Sequence, residues 1–475
     1  MEETSRFDPW VDALMREVHT SRSVLGVPAA SLRPGDPALD LGLLLHGRAA
    51  ETPIGVTGGG PALDVERWLR LWLAGARTLE LDTDQAGRQE LRAIEEFSAA
   101  VAAVFFVRDA FGPGSEGDRP TVVQFRVAAG GAAPSGREPS PARFQEHVER
   151  LKGMGRQARR LGIGRLVVPP LPSGVADETE LFGEILLKEV NLDVVFEIAP
   201  TFFGREAFLA LQEGLPPALR SEPPPEAFQG ALPADEAVAM IRRLQAYAVR
   251  QAHELSVRIA PGHASGRAGY LLGLRLAEML RARLGPELVL GFAANAAAED
   301  APDLLAMNVA PVLLRADAEE RAAPEDVTRA IAAVQDRMRG VGARNLPDFV
   351  IASTEAAREA IQVAFGEVSD PFRDARADWP EEARESARRA TDDIAAAMLE
   401  ATQRRPIDLA RILNDGVARL HELLAPWIAL PAVDDHLHRV AGVRLRTRDL
   451  AGAMATPEVV SRVVARVVDE GACPP

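Results

Sequence analysis

Residues 51–85, ETPIGVTGGGPALDVERWLRLWLAGARTLELDTDQ, set a glycine turn between two aliphatic runs and end on acids. Three kinds of site use such a turn. A dinucleotide site needs G-x-G-x-x-G after a strand and an acid about 20 residues on, for which Asp82 or Asp84 would serve. Gly55, Gly58, Gly59 and Gly60 are spaced G-x-x-G-G-G instead, so the tight turn and the close approach fall in the wrong order. The same glycines would also let the backbone come close to the planar ring of a flavin. The third reading is a turn that only needs positive φ, and the local pattern favours it.

Other reactive residues are sparse. Asp434, Asp435, His436 and His438 form DDHLH, whose H-x-H spacing on a strand would aim two imidazoles the same way, as a metal site requires. No further ligand is identifiable nearby, so a hydrogen-bonded or surface pair is expected. His263 follows an aliphatic run without a visible nucleophile to partner it, which reads as a loop residue. Cys473 is the single cysteine and lies in DEGACPP, so the chain cannot form an internal disulfide, a cysteine zinc site or an iron-sulfur cluster.

The elements that must position these residues are legible as short β-branched or aliphatic runs at 52–57, 78–83, 121–127, 165–169, 193–199, 255–260, 287–292 and 309–314. Amphipathic stretches separate most of them. ALDVERWLRLWLAGA has Asp64 as an N-cap, Val65, Trp68, Leu69 and Trp72 on one face and Gly75 at its end, so its tryptophans are expected in the core. Strands alternating with helices over about 300 residues point to an α/β fold, a (β/α)8 TIM barrel, though a doubly wound sheet shares the local pattern. The proline-dense stretches FGPGSEGDRP and GLPPALRSEPPPEAFQG read as surface excursions. After Arg315 the strand signal stops and the chain becomes helical, with EEARESARRATDDIAAAMLEATQ and a helix opening at Pro406. A boundary near residue 370 separates a barrel, 1–370, from a smaller, mostly α-helical domain, 371–475.

Composition narrows the partners. The chain has 475 residues, 47% of them hydrophobic, with 54 Lys and Arg against 69 Asp and Glu, a formal net charge of -15. A phosphate backbone would be repelled over most of that surface, so no nucleic-acid partner is expected. Apolar runs such as 101–107 fall far short of the roughly 20 residues of a membrane span, and the acidic start MEETSRFDPW has no apolar stretch behind it. A cytoplasmic protein with no membrane contact is the expectation.

PWVDALMREVHTSRSVLGVP, ETPIGVTGGGP, WLRLWLAGARTLELDT, NLDVVFEIAPTFFG and LSVRIAPG resemble, in order and spacing, the dihydroorotate dehydrogenase-like barrel that opens the selenate reductase-type large subunit, a family related to dihydropyrimidine dehydrogenase. PIDLARILNDGVARLHELLAPWIALPAVDDHLHRVAG is similar to the helical iron-sulfur domain that follows that barrel and precedes glutamate synthase-type flavin domains. The resemblance runs from about residue 8 to 455 and implies an FMN site at the barrel mouth. It also shows what has changed. A flavin-side lysine is replaced by Asp82, a second lysine and an asparagine by Glu197 and Ala199, and an asparagine by Pro261, while Arg258 keeps a cation. The glycines that hold the FMN phosphate fall on Ala294 and Asn295. The loop whose cysteine acts as acid or base places Gly174 there with Ser173 beside it, and Ser173 is the catalytic candidate only if the chain is active. The cluster cysteines fall on His438, Gly442, Arg446 and the IAAAMLEATQ segment.

These changes agree in direction. FMN phosphate is held by backbone N–H groups with cations nearby, whereas one misplaced charge about 4 Å away at an effective dielectric near 20 costs on the order of 4 kcal/mol. Gly55, Gly58, Gly59, Asp82, Glu197, Arg258 and Asn295 are therefore expected as mouth positions of a degenerate cofactor site, with neither FMN nor an iron-sulfur cluster bound. The expected role is a structural or regulatory subunit of a larger flavin/iron-sulfur oxidoreductase, partnered by a flavin- and cluster-bearing subunit or by a second copy. The alternatives are an active FMN-dependent oxidoreductase with unconventional ligands, or a barrel that uses Asp82, Glu197, Arg258 and His263 on another small molecule.

Overall fold

The computed structural model describes residues 39–57, 65–82, 123–126, 141–160, 165–168, 176–190, 193–314, 322–353, 379–401 and 406–449, less one or two positions at a time within them, and isolated residues elsewhere. An antiparallel hairpin of β1 (Leu43–Leu45) and β2 (Arg48–Ala50) comes first. The strands β3 (Ile54–Val56), β4 (Thr78–Asp82), β5 (Val123–Arg126), β6 (Arg165–Val168), β7 (Asp193–Ile198), β8 (Leu255–Ile259), β9 (Leu290–Ala296) and β10 (Val312–Leu314) then pair in parallel, each with the next. β10 also pairs with β3, so the sheet curls until its last strand meets its first.

This is an α/β fold, and every aliphatic run read from the sequence lies on a strand. Two details differ. The run expected at 287–292 is displaced to Leu290–Ala296, because β9 goes on through the small residues of AANA that still pair with β10. The hairpin was not expected, since LLL and RAA carry no alternation to reveal it.

Among the described residues, α1 (Val65–Ala74), α2 (Pro141–Arg160), α3 (Ala176–Ile185), α4 (Gly204–Leu211), α5 (Ala234–Arg250), α6 (Gly266–Leu284) and α7 (Ala301–Ala306) lie between strands, and α8 (Pro324–Val341) follows the last one. The proline-dense stretch before α5 forms only 3-10 turns at Pro217–Leu219 and Pro225–Phe228. α5 shows why such segments are helices on a sheet. Ala237, Met240, Ile241, Leu244 and Ala248 recur at spacings of three and four and are all buried, while Asp235 and Glu236 stand in its first turn and Arg250 in its last. α1 buries Trp68, Leu71 and Trp72, so these tryptophans belong to the core; Gly75, at φ 114, ends it.

The sheet has two unlike faces. On β7, Val194, Phe196 and Ile198 join the large apolar core under the helices, while Val195 and Glu197 point the other way, into the concave interior. Near the other end of the chain, Val464 also joins this core.

α9 (Leu346–Ala352) leads on to α10 (Glu381–Ala401), α11 (Pro406–Leu424) and α12 (Pro431–Asp449). These have a second core of their own, including Ala383, Ala387, Ile394, Leu409, Leu413, Val417, Leu420, Val433 and Leu437. α10 and α11 approach closely at Gly416, where an added Cβ would lie 2.4 Å from Ile394 Cγ1 and 2.5 Å from its Cδ1. DDHLH lies within α12 and not on a strand. Residues two apart on a helix diverge: His436 is buried with its ring 5.5 Å from Trp379, edge to face, and His438 is exposed. Among the described residues no helix is long and apolar enough to cross a membrane.

The stiff, β-branched Ile394 cannot easily yield to a new methyl at 416. Gly416→Ala should therefore destabilise by on the order of 1 kcal/mol net, overpacking of about 1–3 exceeding the roughly 1 kcal/mol gained in helix propensity. In an Ile394→Ala background the same change should no longer destabilise. Thermal and urea midpoints of the four proteins test this, and a Gly416→Ala protein as stable as the parent would refute the close approach.

Candidate functional site

The concave interior is organised round Arg258. β7 and β8 pair with Glu197 directly beside Arg258, and β8 and β9 pair with Gly291 on its other side. In parallel ladders such neighbours project from the same face. A Cβ at Gly291 would meet Pro311 Cδ at 3.3 Å and Arg258 Cγ at 3.7 Å, the latter an ordinary contact. The guanidinium thus hydrogen-bonds Glu197 through Nη2 and crosses the interior to Glu80 on β4, which accepts from Nη1 and, at 3.4 Å, from Nη2.

Arg258 and Glu80 are each 2% exposed, and the Glu197 side chain is 12% exposed. Burial opposes the charge on Arg258, but the field of Glu80 and Glu197 and their hydrogen bonds outweigh it, so the guanidinium pKa is raised above its ordinary value. Among the described residues, two carboxylates share this one guanidinium.

A narrow layer lies next to the triad. Thr78, two residues before Glu80, pairs with Gly55, and Gly55 pairs with Leu313. A Cβ at Gly55 would lie 2.4 Å from Leu313 Cδ2 and 2.6 Å from the Thr78 carbonyl oxygen. Gly55 is therefore needed for close packing between neighbouring strands, a demand independent of any ligand.

The structure brings Glu197 and Arg258 together, as expected of residues at one end of adjacent strands. Their carboxylate partner is Glu80, which the sequence reading passed over. Asp82, expected in this role, ends β4 and pairs in the ladder with Arg126. The alternation of TLELD puts residues 80 and 82 on one face and marks both as candidates, so that signal was available. Asn295 is held at φ 56 near the end of β9, its Nδ2 facing the carbonyls of Ala264 at 3.5 Å and Gly266 at 3.4 Å. That amide ties the loop after β8 to the start of α6. Asp300 at 0% exposure plays a similar part, accepting from Arg267 Nη1 at 2.5 Å and from the Ala297 N–H at 2.8 Å. Gly58, Gly59, Gly60, Asp84, Ser173, Gly174 and His263 lie outside the described residues.

These residues fit an FMN poorly. A flavin and its phosphate ask for cations and free backbone or amide donors. Among the described residues the interior offers a guanidinium already bonded to two carboxylates and an asparagine amide facing carbonyls. Among the described residues no group of three or more His, Cys, Asp and Glu side chains is placed to hold a metal ion.

Removing the cation should cost far more than removing the set. Arg258→Met would leave two carboxylates in the interior without their shared cation and should destabilise by about 3–5 kcal/mol. Adding Glu80→Gln and Glu197→Gln to that variant should recover part of the loss, because the two groups that lost their shared cation are then no longer charged. Urea midpoints of the single, double and triple variants measure this; a triple variant less stable than Arg258→Met would contradict it.

No family model matches the chain, and no curated protein matches it. A solved structure titled "Structure of CpGH84D" is similar over 87% of this chain and 75% of its own length, with 10% identity and a TM-score of 0.34. At that level the likeness assigns neither a fold nor an activity.

Proposed function

We propose that this chain is a dihydroorotate dehydrogenase-like (β/α)8 TIM barrel, residues 1–370, followed by a helical domain, 371–475, and that it serves as a structural or regulatory subunit of a larger flavin/iron-sulfur oxidoreductase in the cytoplasm. The curled α/β sheet is compatible with that architecture. The observation that carries the functional reading is the engagement of Arg258 by Glu80 and Glu197. A flavoenzyme of the resembled type keeps its cations available to an anionic cofactor, whereas here both terminal nitrogens of Arg258 are engaged by carboxylates.

The composition supports the second half of the reading. With one cysteine, the helical domain cannot ligate a cluster as the resembled domain does, so any electron transfer in the assembly would run through a partner. The chain would contribute shape and surface.

The purified chain should show no flavin band in the visible, should gain none when mixed with FMN and desalted, and should contain no stoichiometric iron. A stoichiometric flavin band would overturn the proposal and turn attention to Ser173 as an acid or base. A chain that stays colourless but copurifies with a flavoprotein at a fixed ratio would agree with it.

A further inference from the structure

The end of the helical region formed by the close of α11 and the start of α12 has an unusual surface. Residues 423–431, LLAPWIALP, carry no charge in a region otherwise dense with it. Part of this turn seals the bundle: Leu424 is buried, and Trp427 and Leu430 pack on the second core. The rest faces outward, with Leu423 37% exposed, Ile428 47% exposed, and Ala425, Pro426, Ala429 and Pro431 exposed as well. The turn is locally fixed, because the N–H groups of Ile428, Leu430 and Val433 donate to the carbonyls of Ala425, Trp427 and Leu430. A rigid apolar knuckle loses little entropy when something covers it.

The rim names what would cover it. Glu422 precedes the turn, Asp434 and Asp435 open α12, and the contact between Trp379 and His436 brings the start of α10, with Glu381 and Glu382, to the same end. Arg384 offsets one of these acids, lying 3.6 Å from Glu381. The rim is acidic on balance, on a chain whose net charge is -15. A second copy would bring an equally acidic rim against it, a like-charge arrangement that opposes association.

We infer that the 423–431 turn docks a protein partner that presents an apolar helix face flanked by Lys and Arg. The apolar centre supplies the contact, and the acidic rim steers and selects the partner. This rests on the proposed subunit role for its setting, but the binding can fail or succeed independently of it: a chain that holds flavin and still binds such a helix would overturn only the earlier proposal.

The test uses the full chain and two labelled synthetic amphipathic peptides with the same Leu face, one flanked by Lys and one by Glu, followed by fluorescence anisotropy. The Lys-flanked peptide should bind saturably and the Glu-flanked one should not. Ile428→Asp should weaken binding by about tenfold or more, while Val249→Asp, on the 75% exposed Val249 of α5, should leave it unchanged. Should Ile428→Asp unfold the chain, Glu382→Gln with Asp435→Asn, both at exposed positions, should still lower the affinity and flatten its salt dependence. Equal binding by the parent and all variants would overturn the inference. So would sedimentation that finds a dimer of this chain split by Ile428→Asp, which would make the turn a self-contact.

Discussion

A guanidinium shut inside a protein is tolerable only if opposite charge meets it at hydrogen-bond distance. Arg258 imposes that condition on three strands at once. β8 must turn Arg258 inward, β7 must hold its register so that Glu197 lies beside it, and β4 must stand across the interior with Glu80 facing in. A one-residue slip in any of them would turn a charged side chain into the apolar layer under the helices. Such triads are weak sources of net stability, because desolvation consumes much of the Coulomb gain, but removing their cation alone is costly. The triad therefore links β4, β7 and β8 through one guanidinium, while the apolar core beneath the helices supplies most of the stabilisation.

The same triad determines what the interior can accept. An anion bound at the terminal nitrogens of Arg258 would have to displace a carboxylate that already accepts from them. The small residues nearby do not relax this. Gly55 is filled in by Leu313 and Thr78, and the Asn295 amide faces the carbonyls of the loop after β8. Features that look from the sequence like a cradle are packing solutions at these two positions.

How much of this could be read from the sequence depended on whether the signal was local. The parallel strands were legible because buried strands are continuous aliphatic runs, and RLVV, DVVFEI and LSVRI need no context to be recognised. The pairing of Glu197 with Arg258 was legible only as two residues near the ends of neighbouring strands. Glu80 was missed because alternation makes 80 and 82 equivalent, and only the reach of Arg258 across four strands separates them. DDHLH failed for the opposite reason: its spacing has a meaning on a strand and another on a helix, and α12 carries little hydrophobic periodicity to settle the matter in advance.

The helical region is held together by an apolar core. Where a cluster holds helices together, its ligand bonds contribute directly to folding. α10, α11 and α12 instead meet through an apolar stripe that includes Ala387, Ile394, Leu413, Leu420 and Leu437, with Gly416 allowing two backbones to approach. Trp379 against His436 closes the end of that stripe, at positions where aromatic packing needs neither thiolate nor metal. Such a bundle must still shield its ends from water, and at the 423–431 turn it does so with residues that are apolar on both sides. The inward side is satisfied by the bundle, and the outward side keeps Leu423 and Ile428 exposed to water, so one short turn serves the core with one face and leaves an uncharged surface with the other.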